Sequence, residues 1–310
     1  MRKTLGVNIS HNCSFAYFEN DILKQYYEEE RFNKIKNFDP EENEDSNYTS
    51  EYQALKKFKN VTFDVVVFSS YDRGHLQIEL PIIKHILKQI KYKKYFFNIN
   101  NHHVYHAICG YYFSKFQEAI ALVTDGGGEK VFKPFLNFQV MESIFIINKK
   151  QIKKLYQNAS NIRFNYFSNH IKPEEENIKS YDFDLTITNK PLGGYNYGLY
   201  RKKAGFKPSE EGQLMGLAAY KDKSTNLDKD TLDIAHKAQE ETLQERIELI
   251  EKALTYSNYK NIILSGGYHL NCSNNFKLVK HFPKLNFFVD PIAYDGGTAV
   301  GAAYYYENYL

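Results

Sequence analysis

The sequence predicts an α/β fold, in which buried strands alternate with amphipathic helices along the chain. The apolar run at 61–69 has the pattern of a buried strand, and the pattern at 76–90 is that of an amphipathic helix. In addition, polar turns follow apolar strands at 10–14, 125–129, 265–267 and 295–297. Such turns gather at the carboxyl edge of an open α/β sheet, where ligands bind.

The predicted elements fall into two halves. Strands at 5–9, 15–18 and 22–27 form an N-terminal meander, and the polar stretch 37–50 is a loop. Helices at 51–59, 76–90 and 102–115 and strands at 61–69 and 95–99 complete the first half. The second half has strands at 118–124, 131–138, 140–147, 261–264 and 285–289 and helices at 232–254, 271–281 and 297–309. We therefore expect subdomains at 1–117 and 118–310, with a peripheral insertion near 158–184.

The composition is that of a globular chain with a sizeable core, because 43% of its 310 residues are hydrophobic. The net charge of +3 is far from that of a dedicated nucleic-acid-binding domain, although it permits a polyanionic acceptor. Three widely spaced cysteines argue against a disulfide framework or a structural zinc site. No run reaches the ~18 apolar residues that a membrane span needs, so we expect a cytoplasmic protein with no membrane partner.

His102 and His106 are four residues apart in a predicted helix. Both imidazoles then project from one face of the helix and can share a cation. A pair at this spacing is more often solvated or packed in a core, so the spacing alone leaves both interpretations open.

Asp125 follows the predicted strand at 118–124 and precedes Gly126, Gly127 and Gly128, with Glu129 next. Because three successive residues lack side chains, backbone N–H groups can approach a phosphate while the carboxylate holds a metal ion. A tight turn would use the same residues. The nearness of the two histidines in the sequence favours a metal-and-phosphate site.

Three further turns are candidates for the same site. Gly266 and Gly267 allow a nucleotide to lie against the backbone, and the turn at 295–297 begins a helix whose N–H groups favour an anion. Asp295 could instead cap that helix. His11 could be a general base or a donor to a developing oxyanion, although a lone histidine is more often structural.

The chain resembles the N-terminal domain of the O-carbamoyltransferases that modify nodulation factors and cephalosporins, which are relatives of the tRNA threonylcarbamoyl transferase. The resemblance rests on short blocks that occur in the family's order: Gly6-Val7-Asn8 with the turn 10–14, Glu29-Glu30-Arg31-Phe32 with Lys36, His102 with His106, the run 125–129, the run 211–220 (EGQLMGLAAY), Ser265-Gly266-Gly267 with Asn271 and Asn275, and Asp295-Gly296-Gly297. It implies a duplicated actin-like (ribonuclease H-like) ATPase fold, with two mixed sheets flanked by helices and a cleft between them.

The resemblance also implies roles for individual residues. His102, His106, Asp125 and Asp295 match the ligands of a divalent metal ion, which is iron or Mg, Mn or Zn. His11 matches the histidine needed for carbamoyl transfer, with Asn12 beside it, and Lys36 is expected to hold the carbamoyl oxygen or a phosphate. The nucleotide is ATP, carbamoyl-adenylate or ADP. Its expected contacts are Gly126, Gly127, Gly128, Glu129, Glu211, Gly212, Gly216, Gly266, Gly267, Asn271 and Gly296.

Two features depart from the family's pattern. Asn12 stands where the family usually has an aspartate, which removes a charge beside the carbamoyl group. The family's second domain, which is YrdC-like and makes carbamoyl-adenylate from carbamoyl phosphate and ATP, is not found before the sequence ends at Leu310. We therefore expect a separate YrdC-like activating partner, direct use of carbamoyl phosphate, or a fragment of a longer chain.

Together these features predict an ATP- and metal-dependent O-carbamoyltransferase that moves a carbamoyl group from carbamoyl phosphate, through carbamoyl-adenylate, to a hydroxyl. The expected acceptor is a sugar or another small metabolite, or a 5-hydroxymethylpyrimidine in DNA. For DNA, lysines within 84–94 and 149–154 would contact phosphates, although the basic run at 149–154 also fits a solvated turn. The alternatives are a tRNA threonylcarbamoyl transferase-like enzyme and a nucleotide-binding regulatory subunit without transfer activity.

Overall fold

The computed structural model describes residues 1–43, 50–70, 76–133, 136–160, 176–178, 182–188, 190–223 and 226–310. Its strands are β1 (Lys3–Asn8), β2 (Ser14–Glu19), β3 (Ile22–Glu28), β4 (Thr62–Ser69), β5 (Lys91–Phe97), β6 (Glu118–Thr124), β7 (Lys130–Lys133), β8 (Leu136–Asn148), β9 (Gln151–Ser160), β10 (Glu176–Ile178), β11 (Asp184–Thr188), β12 (Asn261–Ser265) and β13 (Asn286–Val289). Its α-helices are α1 (Glu30–Asn33), α2 (Pro40–Asn43), α3 (Leu76–Lys88), α4 (His102–Ser114), α5 (Gly193–Lys203), α6 (Glu211–Leu217), α7 (Lys229–Tyr256), α8 (Cys272–His281) and α9 (Thr298–Tyr309). Much of the insertion predicted near 158–184 lies outside the described residues.

The chain divides into two compact units. The first contains Met1–Gln117, Asn148–Ile152 and Asp290–Leu310, and the second contains Glu118–Ile147 and Lys153–Val289. The predicted second subdomain, 118–310, therefore differs from the structure in its last residues, because α9 belongs to the first unit. The glycines explain this, since α9 packs closely against Gly6 of β1 and presents Gly301 to α4.

The first unit is built on a five-stranded mixed sheet with the order β3-β2-β1-β4-β5. β1 pairs in parallel with β4, and β4 with β5, whereas β1, β2 and β3 are antiparallel neighbours. Successive residues of β4 point to opposite faces of the sheet. Val66 packs with Ile82 and Ile86 of α3, while Val65 and Val67 share a cluster with residues of α4 and α9. The sheet is thus covered by helices on both faces.

The second unit contains a mixed sheet with the order β10-β11-β9-β8-β6-β12-β13, and β7 pairs with β8. β6, β12 and β13 are parallel, while β10 and β11 are antiparallel. Helix α7 packs Ile247 and Ile250 onto Ile120 of β6 and Ile262 of β12. Because β6 and β12 are parallel neighbours, the polar turns that follow them leave the same edge of the sheet. Two mixed sheets flanked by helices confirm the predicted α/β class.

Several predicted elements differ in the structure. The strands expected at 131–138 and 140–147 are instead β7 (Lys130–Lys133) and β8 (Leu136–Asn148), and the loop expected at 37–50 contains α2 (Pro40–Asn43). The helix expected at 51–59 is reduced to one 3-10 turn, Leu55–Phe58. The Glu29 carboxylate accepts from the N–H groups of Gln53 and Ala54, at 2.8 and 2.9 Å, and so fixes where this turn begins. The strand expected at 95–99 runs instead over Lys91–Phe97. The prediction missed its start because three of the first four residues, Lys91, Lys93 and Lys94, are exposed lysines. Among the described residues, no helix has the length and apolar character that crossing a bilayer requires.

Candidate functional site

The turn after β1 is shaped by Asn8, whose side chain is buried at the end of the strand. Its Nδ2 donates to the carbonyl oxygens of His11 and Asn12, at 3.0 and 3.3 Å, and its Oδ1 accepts from the N–H of Ser10 at 3.1 Å. Asn12 has a φ of 60°, a left-handed conformation that asparagine adopts more readily than most residues. The turn therefore presents the His11 side chain half-exposed, at the end of the strand.

Helix α4 carries the two predicted histidine ligands. Asn98 fixes the 3-10 turn just before it by accepting from the N–H of Asn100 at 2.9 Å. His102 and His106 are both fully buried, and their ring centroids are 4.8 Å apart. Both rings face the carboxylate of Asp295, so the spacing of four residues gives them a common direction.

Asp295 joins side chains from three parts of the first unit. Its Oδ1 lies 3.7 Å from Nε2 of His102 and 3.6 Å from Nε2 of His106. Its Oδ2 lies 3.2 Å from Nε2 of His11 and accepts from Oγ of Ser10 at 2.9 Å. The turn after β1, helix α4 and the turn before α9 therefore converge on one buried carboxylate.

The charge of Asp295 follows from these contacts. Burial would raise the pKa of the Asp295 carboxyl, but the imidazoles of His11, His102 and His106 outweigh burial and hold this pKa well below its ordinary value. The capping interpretation does not hold, because the N-cap of α9 is Gly297. Asp295 is thus an ionised, buried side chain directed at imidazoles.

The residues present fit a divalent metal ion. Ligand atoms bound at ~2.1 Å to one ion lie roughly 3.0–3.4 Å from each other in octahedral or tetrahedral geometry. The carboxylate-to-imidazole separations of 3.6 and 3.7 Å at His106 and His102 are close to this range. Two imidazole nitrogens with a carboxylate oxygen suit iron, zinc or manganese better than calcium. The donor set of His102, His106 and Asp295 could therefore hold such an ion.

Asp125, the fourth predicted ligand, belongs to the second unit, and its role as a ligand stays a prediction. It is buried at the end of β6. Its Oδ1 accepts from the N–H of Gly126 at 2.7 Å and from that of Gly267 at 3.3 Å. The carboxylate therefore links the turn after β6 to the turn after β12.

The two predicted nucleotide turns of the second unit lie together. Gly266 has a φ of +92°, and a Cβ there would be 2.3 Å from the carbonyl oxygen of Thr124. Only glycine permits this approach of the two backbones. The bond from the Gly267 N–H to Asp125 completes the contact. The structure thus brings the glycines of 126–128 and 266–267 to one edge of the second sheet.

Glu129 and Asn271 already have partners within the second unit. The carboxylate of Glu129 is buried and accepts from Nε2 of Gln157 at 2.7 Å and Nζ of Lys154 at 3.3 Å. Lys154 is therefore not part of a solvated turn, and β9 begins at Gln151. Asn271 is the N-cap of α8, where its Oδ1 accepts from the N–H of Asn274 at 3.1 Å. Both residues shape the elements around the turns.

The remaining predicted nucleotide residues occupy two places. Glu211 begins α6 and pairs with Nε of Arg201 at 2.8 Å. Gly212 and Gly216, on the same helix, are exposed, with open space where a Cβ would be. Gly296 belongs to the first unit, next to Asp295. The nucleotide roles of these four residues stay predictions.

His11 has an oxygen facing each of its ring nitrogens. Nδ1 lies 2.8 Å from Oδ1 of Asn12, and Nε2 lies 3.2 Å from Oδ2 of Asp295. A neutral imidazole carries a proton on one ring nitrogen only, so His11 can donate from one nitrogen and accept a proton at the other. Asn12 also donates to Oδ1 of Asn37 at 3.2 Å. This bond brings the segment that carries the exposed Lys36 next to the turn after β1, because Lys36 immediately precedes Asn37.

Sequence reasoning missed a buried charged cluster under the turns of the second unit. Arg246 on α7 is 2% exposed and donates to the carboxylate of Glu142 on β8. Its Nη2 lies 3.5 Å from Oε2 of Glu245. Its guanidinium carbon lies over the ring of Tyr268, 5.0 Å from the ring centroid. Its Nη1 would be 3.4 Å from a Cβ at Gly193. In the sequence, Arg246 is one of several polar residues on α7. The helical periodicity of α7 does not show whether such residues are buried or exposed to solvent.

Comparison with known proteins identifies the family. Residues 16–304 match the family described as "Carbamoyltransferase N-terminus". The chain belongs to this family. It is also 24% identical to the nodulation protein NolNO of Sinorhizobium fredii, over 91% of this chain and 44% of that protein. The chain therefore spans about half the length of this relative.

Solved structures agree on the fold. The full-length HypF structure in its phosphate- and nucleotide-bound form has a TM-score of 0.58 at 10% identity, over 99% of this chain and 55% of that one. A ROK family protein from Streptococcus pneumoniae, in complex with sucrose, has a TM-score of 0.54 at 10% identity, over 97% and 96% of the two chains. At such low identity the likeness shows the fold alone, and it confirms the predicted actin-like ATPase fold.

Proposed function

We propose that this chain carries the transfer site of an ATP- and metal-dependent O-carbamoyltransferase. The observation that carries the proposal is the convergence of His102, His106 and His11 on the buried carboxylate of Asp295, in a chain of the carbamoyltransferase N-terminus family. The donor is carbamoyl phosphate, which reaches the site as carbamoyl-adenylate. A separate YrdC-like protein, or a further domain, would form that adenylate.

The metal ion would be held by His102, His106 and Asp295. Bound there, it would act as a Lewis acid and neutralise phosphate charge. The glycines at 126–128 and 266–267 would let backbone N–H groups approach the nucleotide phosphates. The buried ion pair of Arg246 and Glu142 lies near these turns, because Arg246 stacks on Tyr268 and approaches Gly193.

The transfer step itself needs a proton acceptor. The acceptor's hydroxyl oxygen attacks the carbamoyl carbon and forms a C–O bond, the bond from that carbon to the phosphate oxygen breaks, and AMP leaves with the electron pair. The hydroxyl proton must move to a base, and neutral His11 takes it at the ring nitrogen that carries no proton. In its protonated form His11 instead donates to the oxygen on which negative charge develops. Asn12 holds Nδ1 and so fixes the ring in either case.

The acceptor is a hydroxyl of a sugar, a small metabolite or a 5-hydroxymethylpyrimidine in DNA. DNA as the acceptor is supported by five lysines of α3 and β5, because exposed lysines can contact phosphates. They are Lys84, Lys88, Lys91, Lys93 and Lys94. Lys91, Lys93 and Lys94 lie on the edge strand β5, where lysines also prevent strands from pairing between molecules.

An acceptor panel tests the proposal. The purified protein is incubated with carbamoyl phosphate, ATP and a divalent metal, with and without a YrdC-like protein, and the acceptors are sugars, nucleosides and hydroxymethylpyrimidine DNA. Mass spectrometry should show the gain of one carbamoyl group on one acceptor class. Activity on DNA should fall as salt is raised, whereas activity on a neutral metabolite should not. Absence of product from every acceptor, with the metal bound and the YrdC-like protein active, would contradict the proposal.

A further inference from the structure

Glu28 is one of several buried carboxylates of the first unit besides Asp295, and none of the roles above involves it. It ends β3 and is 5% exposed. Its Oε1 accepts from the hydroxyl of Tyr26 at 3.0 Å and also from the hydroxyl of Tyr294. Its Oε2 lies 3.3 Å from Nε of Arg31. Three donors from three chain segments therefore hold one carboxylate in a fixed place.

The loop that carries Asp295 is bound on both sides by one cross-strand pair. Ser14 of β2 and Glu28 of β3 lie directly opposite each other in the sheet. Oγ of Ser14 donates to the carbonyl oxygen of Gly296 at 2.7 Å, while Glu28 accepts from the hydroxyl of Tyr294. Tyr294 and Gly296 are the two residues that flank Asp295. The sheet therefore anchors Asp295 through both of its neighbours in the chain.

The tyrosines also fill the space around this loop. A Cβ at Gly296 would lie 2.7 Å from the hydroxyl oxygen of Tyr26 and 2.7 Å from the ring of Tyr294. Burial raises the pKa of both tyrosine hydroxyls, with Glu28 adding to the effect, so both remain protonated donors at physiological pH. The loop thus has little freedom to move relative to β2 and β3.

We propose that Glu28, acting through Tyr294, is a positioning residue that orients Asp295 toward the metal ion. The proposal rests on the proposed function, because it takes Asp295 to be a metal ligand. Residues that hold a ligand in place typically contribute about 10–100-fold to metal affinity, through the orientation that they impose. Glu28 contacts neither His102 nor His106 in the bonds described above, so its effect reaches the metal only through the Asp295 loop.

The test is a Co²⁺ titration of the full chain, followed by visible absorption. Tyr294→Phe removes only the hydroxyl, and Glu28→Gln keeps the size of the side chain. The matched control is Tyr17→Phe, because the Tyr17 hydroxyl donates to the Glu19 carboxylate at 2.5 Å elsewhere in the same sheet. We expect the Co²⁺ Kd to rise about tenfold in Tyr294→Phe and Glu28→Gln, and to change less than about twofold in Tyr17→Phe.

A second readout separates positioning from a purely structural role. Carbamoyl transfer by Tyr294→Phe should return to near the wild-type kcat at saturating metal, because only the metal affinity has changed. Wild-type Co²⁺ affinity in both Tyr294→Phe and Glu28→Gln would overturn the inference, and a lower urea midpoint in the same variants would show that the bond supports folding only. If the wild-type protein binds Co²⁺ no better than Asp295→Asn, the metal site of the proposed function fails, and the inference fails with it.

Discussion

Gly301 of α9 lies against the backbone of Tyr105 in α4, so closely that a Cβ at Gly301 would be 1.9 Å from the Tyr105 carbonyl oxygen. Tyr105 immediately precedes His106, one of the candidate metal ligands. Gly6 of β1 makes a similar approach, since its Cβ would be 1.9 Å from the carbonyl oxygen of Ala299. The distances among β1, α9 and α4, and hence the positions of His11 and His106, depend on these two glycines.

Gly301→Ala should destabilise the protein by about 1–3 kcal/mol, because the added methyl group must push α4 and α9 apart. Urea denaturation measures the change. Gly198→Ala is the matched control, since Gly198 also lies in a helix but has nothing within 4 Å of an added Cβ. This control should be neutral or slightly stabilising. Equal stability of Gly301→Ala and the wild-type protein would contradict the packing described.

His106→Ala should reduce the affinity for a divalent metal ion by more than about 100-fold, because it removes a direct ligand rather than a supporting group. Isothermal titration with Mn²⁺ or Co²⁺ measures the loss. His281→Ala serves as the control, because His281 is an exposed histidine at the end of α8. An unchanged metal affinity in His106→Ala would place the metal ion elsewhere.

His11→Asn should lower carbamoyl turnover by about 10²–10⁴-fold while leaving ATP binding intact. The reason is that His11 moves a proton, whereas the nucleotide is held by turns of the second unit in the proposed function. Turnover is measured with the acceptor found in the panel, and ATP binding by equilibrium dialysis. Loss of both properties together would mean that His11 has a structural role.

Glu245→Gln should change how stability depends on pH. Burial raises the pKa of Glu245 to about 7 from an ordinary value of 4.5, although Gly193 and Asn196 donate to its carboxylate. Between these two values the folded state binds a proton that the unfolded chain has lost, so the stability from this group falls as the pH rises from 4.5 to 7. The loss is at most ~3 kcal/mol.

Urea denaturation at pH 5, 6, 7 and 8 measures this slope. The wild-type protein should lose stability over this range relative to Glu245→Gln, which cannot ionise. Glu248→Gln is the control, because Glu248 is exposed on the same helix. Parallel pH profiles for Glu245→Gln and the wild-type protein would contradict the burial of an uncharged Glu245.

The sequence predicted His102, His106 and Asp295 as metal ligands, but not how they are arranged. The spacing of His102 and His106 on one helix is a local property, so it could be predicted from periodicity. Asp295 lies near the other end of the chain, and only the packing of α9 against β1 and α4 brings it to the histidines. The same packing explains why the predicted second subdomain extended too far.

The parts that could not be predicted depend on contacts between distant residues. Helical propensity predicts a helix over 51–59. The structure has only the turn at Leu55–Phe58, because the carboxylate of Glu29, which is distant in sequence, binds the backbone just before it. Arg246 and Glu142 form a buried pair between a helix and a strand, and neither has a distinctive neighbour in sequence. Glu129 fitted a phosphate-binding turn by its position after three glycines, yet its carboxylate is bound by Lys154 and Gln157.

The central claim is that carbamoyl transfer requires a metal ion held by His102, His106 and Asp295. The most direct measurement follows ¹³C-labelled carbamoyl phosphate into the acceptor by mass spectrometry, with ATP and the YrdC-like protein present. It compares the metal-loaded protein, the chelator-treated protein and the Asp295→Asn variant. The account predicts label on the acceptor only with the metal-loaded wild-type protein. Label transferred at the wild-type rate by Asp295→Asn or by the chelator-treated protein would contradict it.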